Sequence, residues 1–165
     1  MVVLLHIQNR WVISILFIVI SLLVVLGLTI YKNEKTVDLS DVEINHLKLN
    51  ETFDNSEYSL NKHVKLDRYI FYNHNKYKNL TIKVKKKHHK IKGIILVKDT
   101  FVNTNFDVHI GDPIDAVIDN LGYNYDKDKV GKGYDALVYL DKDHHMKLSI
   151  LYKDNIVKRI EFFSR

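Results

Sequence analysis

The chain contains no cysteine among its 165 residues. That excludes disulfides, cysteine-ligated zinc, a thiol nucleophile and a lipidated cysteine, although exported proteins often manage without disulfides and the compartment stays open. Charge is missing from the beginning: residues 1–31 carry one charged side chain, Arg10, and no acid. Proline is used once, against abundant Lys, Asn, Asp, Ile and Tyr, the mark of AT-rich coding. Catalytic signatures are missing too. There is no G-x-S-x-G, no H-E-x-x-H, no phosphate-cradling glycine loop and no carboxylate pair set for acid–base work, so neither an enzymatic activity nor a cofactor is expected.

What is present first is an apolar run. After a short tail (residues 1–10), Trp11 to Ile30 reads as 20 residues without a charge. As a helix at about 1.5 Å per residue it would extend roughly 30 Å, the hydrocarbon thickness of a bilayer. Ser14, Ser21 and Thr29 can return their hydroxyls to the backbone, and Trp11 and Tyr31 bracket the run as interfacial aromatics would. A cleaved signal peptide would need a shorter apolar region and a small-residue cleavage site, which Gly27–Tyr31 does not offer. The expectation is an uncleaved single-pass transmembrane helix over 11–31 acting as a signal anchor, with residues 11–30 in contact with the lipid bilayer. Lys32 and Lys35 after the run argue for a cytoplasmic C-terminal side. Short N-terminal tails are, however, commonly retained inside, so export of the larger part is expected: a cell-membrane protein with an extracytoplasmic C-terminal domain.

The remainder holds 24 Lys/Arg against 20 Asp/Glu, a net charge of +4. Its length suits one compact domain or two small ones sharing a core. A polar linker (32–40) leads into two stretches that read as copies of one unit, 41–97 and 98–165. The second copy is clearer. Phe106–Ile110 alternates as a short strand, and Gly111-Asp112-Pro113 opens a helix with Asp112 as cap, Pro113 at the first helical position and Asp115 three residues after the cap. Ile114, Val117, Ile118 and Leu121 form one apolar stripe and Gly122 ends it. Beyond a polar loop (124–132), Tyr134–Leu140, Met146–Tyr152 and Ile156–Phe163 read as three strands separated by turns. In the first copy Leu47–Phe53 lies over the helix opening, and Tyr69–Tyr72, Leu80–Val84 and Ile91–Val97 match the three strands. The fold expected is α+β: a transmembrane helix, then two tandem modules of (strand)–helix–three-stranded antiparallel meander.

The run I-G-D-P-I-D-A-V-I-D-N-L-G-Y (110–123), with the ending D-N-I-V-K-R-I (154–160), resembles the helix-plus-meander modules of bacterial exported proteins. These include the tandem β-lactamase-inhibitor protein, the small outer-membrane assembly lipoproteins, and Gram-positive membrane-anchored surface domains of uncharacterised function. Gly111, Leu121-Gly122 and Val157–Ile160 hold the places that open the helix, close it and end the last strand in those families. The resemblance covers 106–163 well and 47–97 poorly. It implies a fold and a tendency to bind proteins, and it assigns no catalytic residue. The chain lacks the lipoproteins' cysteine and any identifiable inhibitor loop.

Three clusters invite a chemical reading. Lys83, Lys85, Lys86, Lys87, Lys90 and Lys92, with His88 and His89, flank the turn between two strands of the first copy. They offer a polyanion site for an anionic cell-envelope polymer or anionic lipid, against the plain reading of a solvated turn whose lysines discourage edge pairing. Specific nucleic-acid recognition is not expected. His88-His89 and Asp143-His144-His145 are the densest of nine histidines, but they stand in turns beside lysines and no metal site is expected. Asp126–Gly131 opens like a calcium loop, yet Val130 and Leu137 occupy positions that need oxygen ligands, which leaves a flexible loop. The function expected is a membrane-anchored, extracytoplasmic, non-enzymatic protein-binding module of inhibitor, immunity or assembly type, with an unknown protein partner. The alternative is a polyanion or anionic-lipid binder acting through the basic hairpin 83–92.

Overall fold

The computed structural model describes residues 2–33 and 35–164, and within the first helix it describes side chains for 11–27. The chain divides into two units, Met1–Glu34 and Lys35–Arg165.

The first unit is one helix, α1 (Val2–Asn33). From Trp11 to Leu26 its large apolar side chains are 48–71% exposed, with no polar stripe to turn toward water. The Ser21 hydroxyl donates to the Ile18 carbonyl at 2.8 Å, which lets the helix carry a serine at little cost. The transmembrane expectation is corrected here. Among the described residues no helix is long and apolar enough to cross a membrane, so the single-pass, signal-anchor reading of 11–31 is withdrawn.

In the second unit, residues alternate between buried and part-exposed along much of the sheet, as a covered face requires, while 136–139 and 148–150 are buried in unbroken runs. The strands are β1 (Tyr58–Leu60), β2 (Tyr69–His74), β3 (Leu80–Lys85), β4 (Lys90–Val97), β5 (Asp126–Gly131), β6 (Tyr134–Asp141), β7 (Met146–Lys153) and β8 (Ile156–Ser164). They form a single antiparallel sheet in the order β1-β2-β3-β4-β8-β7-β6-β5. The covered face carries Ile82 and Val84 from β3, Ile94 and Leu96 from β4, Ile150 from β7 and Phe162 from β8, all within one apolar cluster. Among the described residues of this unit the one helix, α2 (Ile114–Leu121), adds Ile114 and Val117 to that cluster, and Ile118 and Leu121 pack at its margin.

The two tandem helix-plus-meander modules are therefore corrected to one continuous eight-stranded sheet, one core and one sheet-packed helix. The stretch laid over the helix opening in the first copy, 47–53, is irregular. Its surroundings lack an apolar i, i+3, i+4 stripe, and short polar side chains capture the backbone instead: the Asp54 carboxylate accepts the Ser56 N–H at 3.0 Å. The segment docks on the start of β4, with Asn50 N–H to Ile91 C=O at 2.8 Å and Phe53 N–H to His89 C=O at 2.9 Å. Leu49 and Phe53 are thereby buried without a helix.

Other expectations shift locally. Phe106–Ile110 is not a strand; Val108 and Ile110 are buried in an irregular segment. The supposed flexible calcium-like loop is the edge strand β5, paired from Asp126↔Val138 to Gly131↔Tyr134. At the start of α2 the cap residue is Pro113 (φ −65°, ψ 146°), with no side-chain cap. Asp112 turns back to accept the His109 N–H at 2.6 Å. The helix start is instead fixed to the β7–β8 turn by Ile114 N–H to Asn155 C=O and Val157 N–H to Asp112 C=O, at 2.8 and 2.9 Å. Asp115 lies in the first helical turn, where a carboxylate opposes the positive end of the helix dipole. Gly122 closes the helix at φ 79°, its N–H bonded to Ile118 C=O at 2.8 Å.

Candidate functional site

Strand pairing determines which side chains share the second face of the sheet. One row runs Phe71, Lys83, Gly93, Phe163, Lys147 and Leu140 across six strands. The next row holds Asn73, Thr81, Ile95, Glu161, Ser149 and Val138. Beyond it come Val97, Arg159, Leu151 and Ala136. Among the described residues of this unit, the apolar cluster draws on the opposite face, and none of these side chains belongs to it.

The centre of the face is aromatic and cationic. Lys83 Nζ stands 4.1 Å from the Tyr69 ring centroid and 5.7 Å from that of Phe163. The Phe163 ring lies over Gly93, where a Cβ would come within 2.5 Å of it, so a glycine lets the ring lie flat across the strand. Lys85 and Lys147 extend the positive charge on either side. Arg159 pairs with Glu161, the one acid of these rows. Asp126 and Asp128 are paired with Val138 and Ala136 at the far edge. The face is thus positive around Phe71 and Phe163 and acidic along β5.

The six lysines of the basic hairpin do not act as a unit. Lys83 belongs to the aromatic centre. Lys90 Nζ donates to the Thr52 hydroxyl at 3.1 Å, and Lys92 Nζ donates to the Asn50 amide oxygen at 2.7 Å and the Ser164 hydroxyl at 3.0 Å. These two fasten the 50–52 segment to β4. Lys85, Lys86 and Lys87 remain without an ion-pair partner among the described residues, and Lys86 and Lys87 are exposed in the turn. His88 and His89 in that turn have φ of 76° and 48°. With His46 and His145, also at positive φ, they take left-handed positions that a glycine-poor chain fills with other residues.

Asp38, Asp141 and His144 bring one ligand atom each to within 4.8 Å of one another. Their bonding is that of a latch. Buried Asp141 accepts the Leu39 N–H and the His144 N–H, both at 2.8 Å, and its Oδ2 is 2.9 Å from His144 Nδ1. Burial pushes the Asp141 carboxyl up, but the His144 and Leu39 N–H bonds and the His144 ring together hold it below its ordinary value. The hydrogen bond and charge of Asp141 in turn raise the His144 ring. Both carboxylate oxygens are already engaged, so the cluster's evident work is to hold the chain entering the domain, where Val37 N–H also bonds Leu140 C=O at 2.9 Å.

The sequence reading missed Phe71, Phe163, Lys147 and Arg159. A usable signal was strand parity: once Ile160 and Phe162 are assigned to the core, Arg159 and Phe163 must face the other way. Compared with protein-family models, curated proteins and solved structures, the chain matches none.

Proposed function

We propose that the chain is a non-enzymatic protein-binding module that uses the open face of its sheet. The observation that carries this reading is the row from Phe71 to Leu140, which places two aromatic rings and two lysines, all part-exposed, side by side on the face opposite the apolar cluster. Aromatic rings are among the side chains that dominate protein interfaces, and the two lysines add charge that steers an oppositely charged partner. The partner's matching surface would be acidic around an apolar centre, because the only acid in these rows, Glu161, is already paired with Arg159.

A photo-crosslinking residue at Thr81, on the same face, tests it in cells that express the full chain. The expected product is one discrete protein adduct, lost with Lys83→Glu. Absence of a protein adduct, or one indifferent to Lys83→Glu, removes the reading.

The alternative, polyanion contact through the hairpin, is favoured by one observation: Lys85, Lys86 and Lys87 are free of ion pairs among the described residues. Salt separates the two. Polyanion binding falls steeply with ionic strength, whereas a packed apolar interface does not.

For α1 the proposed partner is lipid, in the sense of contact rather than crossing. An all-round apolar helix surface, 48–71% exposed from Trp11 to Leu26, needs an apolar solvent. We place the protein at the cell membrane on the strength of this helix surface. Failure of the full chain to float with phosphatidylcholine vesicles in a density gradient would refute lipid contact.

A further inference from the structure

One cavity of the molecule belongs neither to the open face's aromatic centre nor to the hairpin. It lies where the end of β4, the start of β8 and the β5–β6 turn converge, and its volume is about 590 Å³. Its floor is apolar, with Ile110 and Val157 both buried and Leu151 beside them. Its rim carries Lys98, Lys132, Lys158 and Arg159, and no Asp or Glu lines it. Four cations from three segments, the chain after β4, the β5–β6 turn and β8, thus surround one apolar hollow.

We propose that this cavity binds a small amphiphilic anion, a molecule with an apolar body of roughly naphthalene size and a phosphate or carboxylate head. The chemistry of the lining selects that class. A neutral apolar molecule would leave the rim cations facing one another, and their repulsion unrelieved. An inorganic anion would leave the floor wet. A molecule with both parts buries its body against Ile110, Val157 and Leu151 and sets its head among the rim cations.

Arg159 supplies a second, independent indication. Its Nη2 pairs with Glu161, while its Nε is buried without any hydrogen-bond partner. An unpaired buried donor on a guanidinium is costly, and an oxyanion in the cavity is the acceptor that a small turn of this part-exposed side chain would reach. Lys132 is presented at the tip of the β5–β6 turn, at φ 55° between Gly131 and Gly133, both also at positive φ. The site goes beyond the protein-binding reading and does not depend on it.

The test uses the full chain held in phosphatidylcholine nanodiscs, with empty discs subtracted, and 1-naphthyl phosphate as the probe in calorimetric titration. It should bind at least about tenfold more tightly than 1-naphthol, which lacks the charge, and than inorganic phosphate, which lacks the body. Lys132→Gln and Lys158→Gln change exposed residues and leave the core intact; each should weaken binding by about threefold, and the pair by about tenfold. The double variant Lys85→Gln/Lys87→Gln in the hairpin should leave it unchanged. If phosphatidylglycerol in the discs competes with the probe, the natural head is a lipid's; if it does not, the natural ligand is a free solute, and either result keeps the site. The proposal is overturned if naphthol or inorganic phosphate binds as tightly as the probe, or if the hairpin variant weakens binding as much as the rim variants.

Discussion

The two halves of the sheet contribute the same number of long central strands and are completed differently. On the β6–β8 side, a helix with an apolar stripe lies at the core and a glycine ends it. On the β2–β4 side irregular chain takes part in the covering: Leu49 and Phe53 are buried there without a helix, and Leu39, Val42 and Ile44 join the same apolar cluster. The apolar cluster runs through both halves without a break. The difference shows that a sheet face needs apolar cover more than it needs a helix. Irregular cover is stable where the backbone's polar groups find partners, as Asn50 and Phe53 do on β4.

The comparison breaks first on cooperativity. Ile82→Ala and Ile150→Ala remove fully buried side chains from opposite halves, and each should cost about 2–5 kcal/mol. If the core is one, both variants shift a single urea transition seen alike by near-ultraviolet and far-ultraviolet circular dichroism. Two separate transitions would mean that the halves are independent after all.

Next in size is the latch. Asp141→Asn puts an amide where two N–H groups and an imidazole point, and should cost about 1–3 kcal/mol in equilibrium unfolding. Its pH signature is specific. The His144 ring is raised above its ordinary 6.5, so its contribution is complete below that value and is lost as pH rises through the raised value. Asp141 is lowered from 3.8, so its contribution is present above that value and is lost as pH falls through the lowered one. Exchange protection of the Leu39 amide should therefore fall off at both ends, and Asp141→Asn should flatten both limbs.

The helix-capped half can be probed at its terminus. Gly122 has φ 79° and ψ −174°, a conformation open to glycine alone. Gly122→Ala should cost about 1–3 kcal/mol, read as a lower melting temperature. Tyr139→Phe is gentler: the buried hydroxyl donates to Gly122 C=O at 3.0 Å, and its loss should cost about 1 kcal/mol. The smallest effect belongs to the open face. Lys83→Ala removes a cation from above Tyr69 and should change stability by no more than about 1 kcal/mol while abolishing partner capture. A large stability loss there would make Lys83 a structural residue and weaken the binding reading.

Legibility followed the range of the interactions concerned. Strands such as Leu80–Val84 and Met146–Tyr152 could be read because alternation is a local pattern that survives any partner. The α2 stripe and its closing glycine could be read for the same reason. The basic hairpin was visible as a run of lysines, but its division was not: Lys90 and Lys92 are claimed by Thr52 and Asn50, about 40 residues away in sequence. Reading Asp112 as the cap failed because its carboxylate had a nearer donor in His109 N–H. The β5 segment was mistaken for a loop because all six of its residues are exposed and show no alternation. Only its pairing with β6 makes it a strand.

From the sequence alone came the apolar character of residues 11–30, the absence of thiol chemistry, the six long central strands and one helix. Each of these depends on composition or on a period of a few residues. The tertiary structure alone decided that the strands form one sheet rather than two modules, that Phe71, Lys83 and Phe163 become neighbours, and that Lys98, Lys132, Lys158 and Arg159 surround one cavity. Those outcomes rest on strand order and register, which are selected by the total apolar area buried when distant segments meet, and no local pattern encodes that sum.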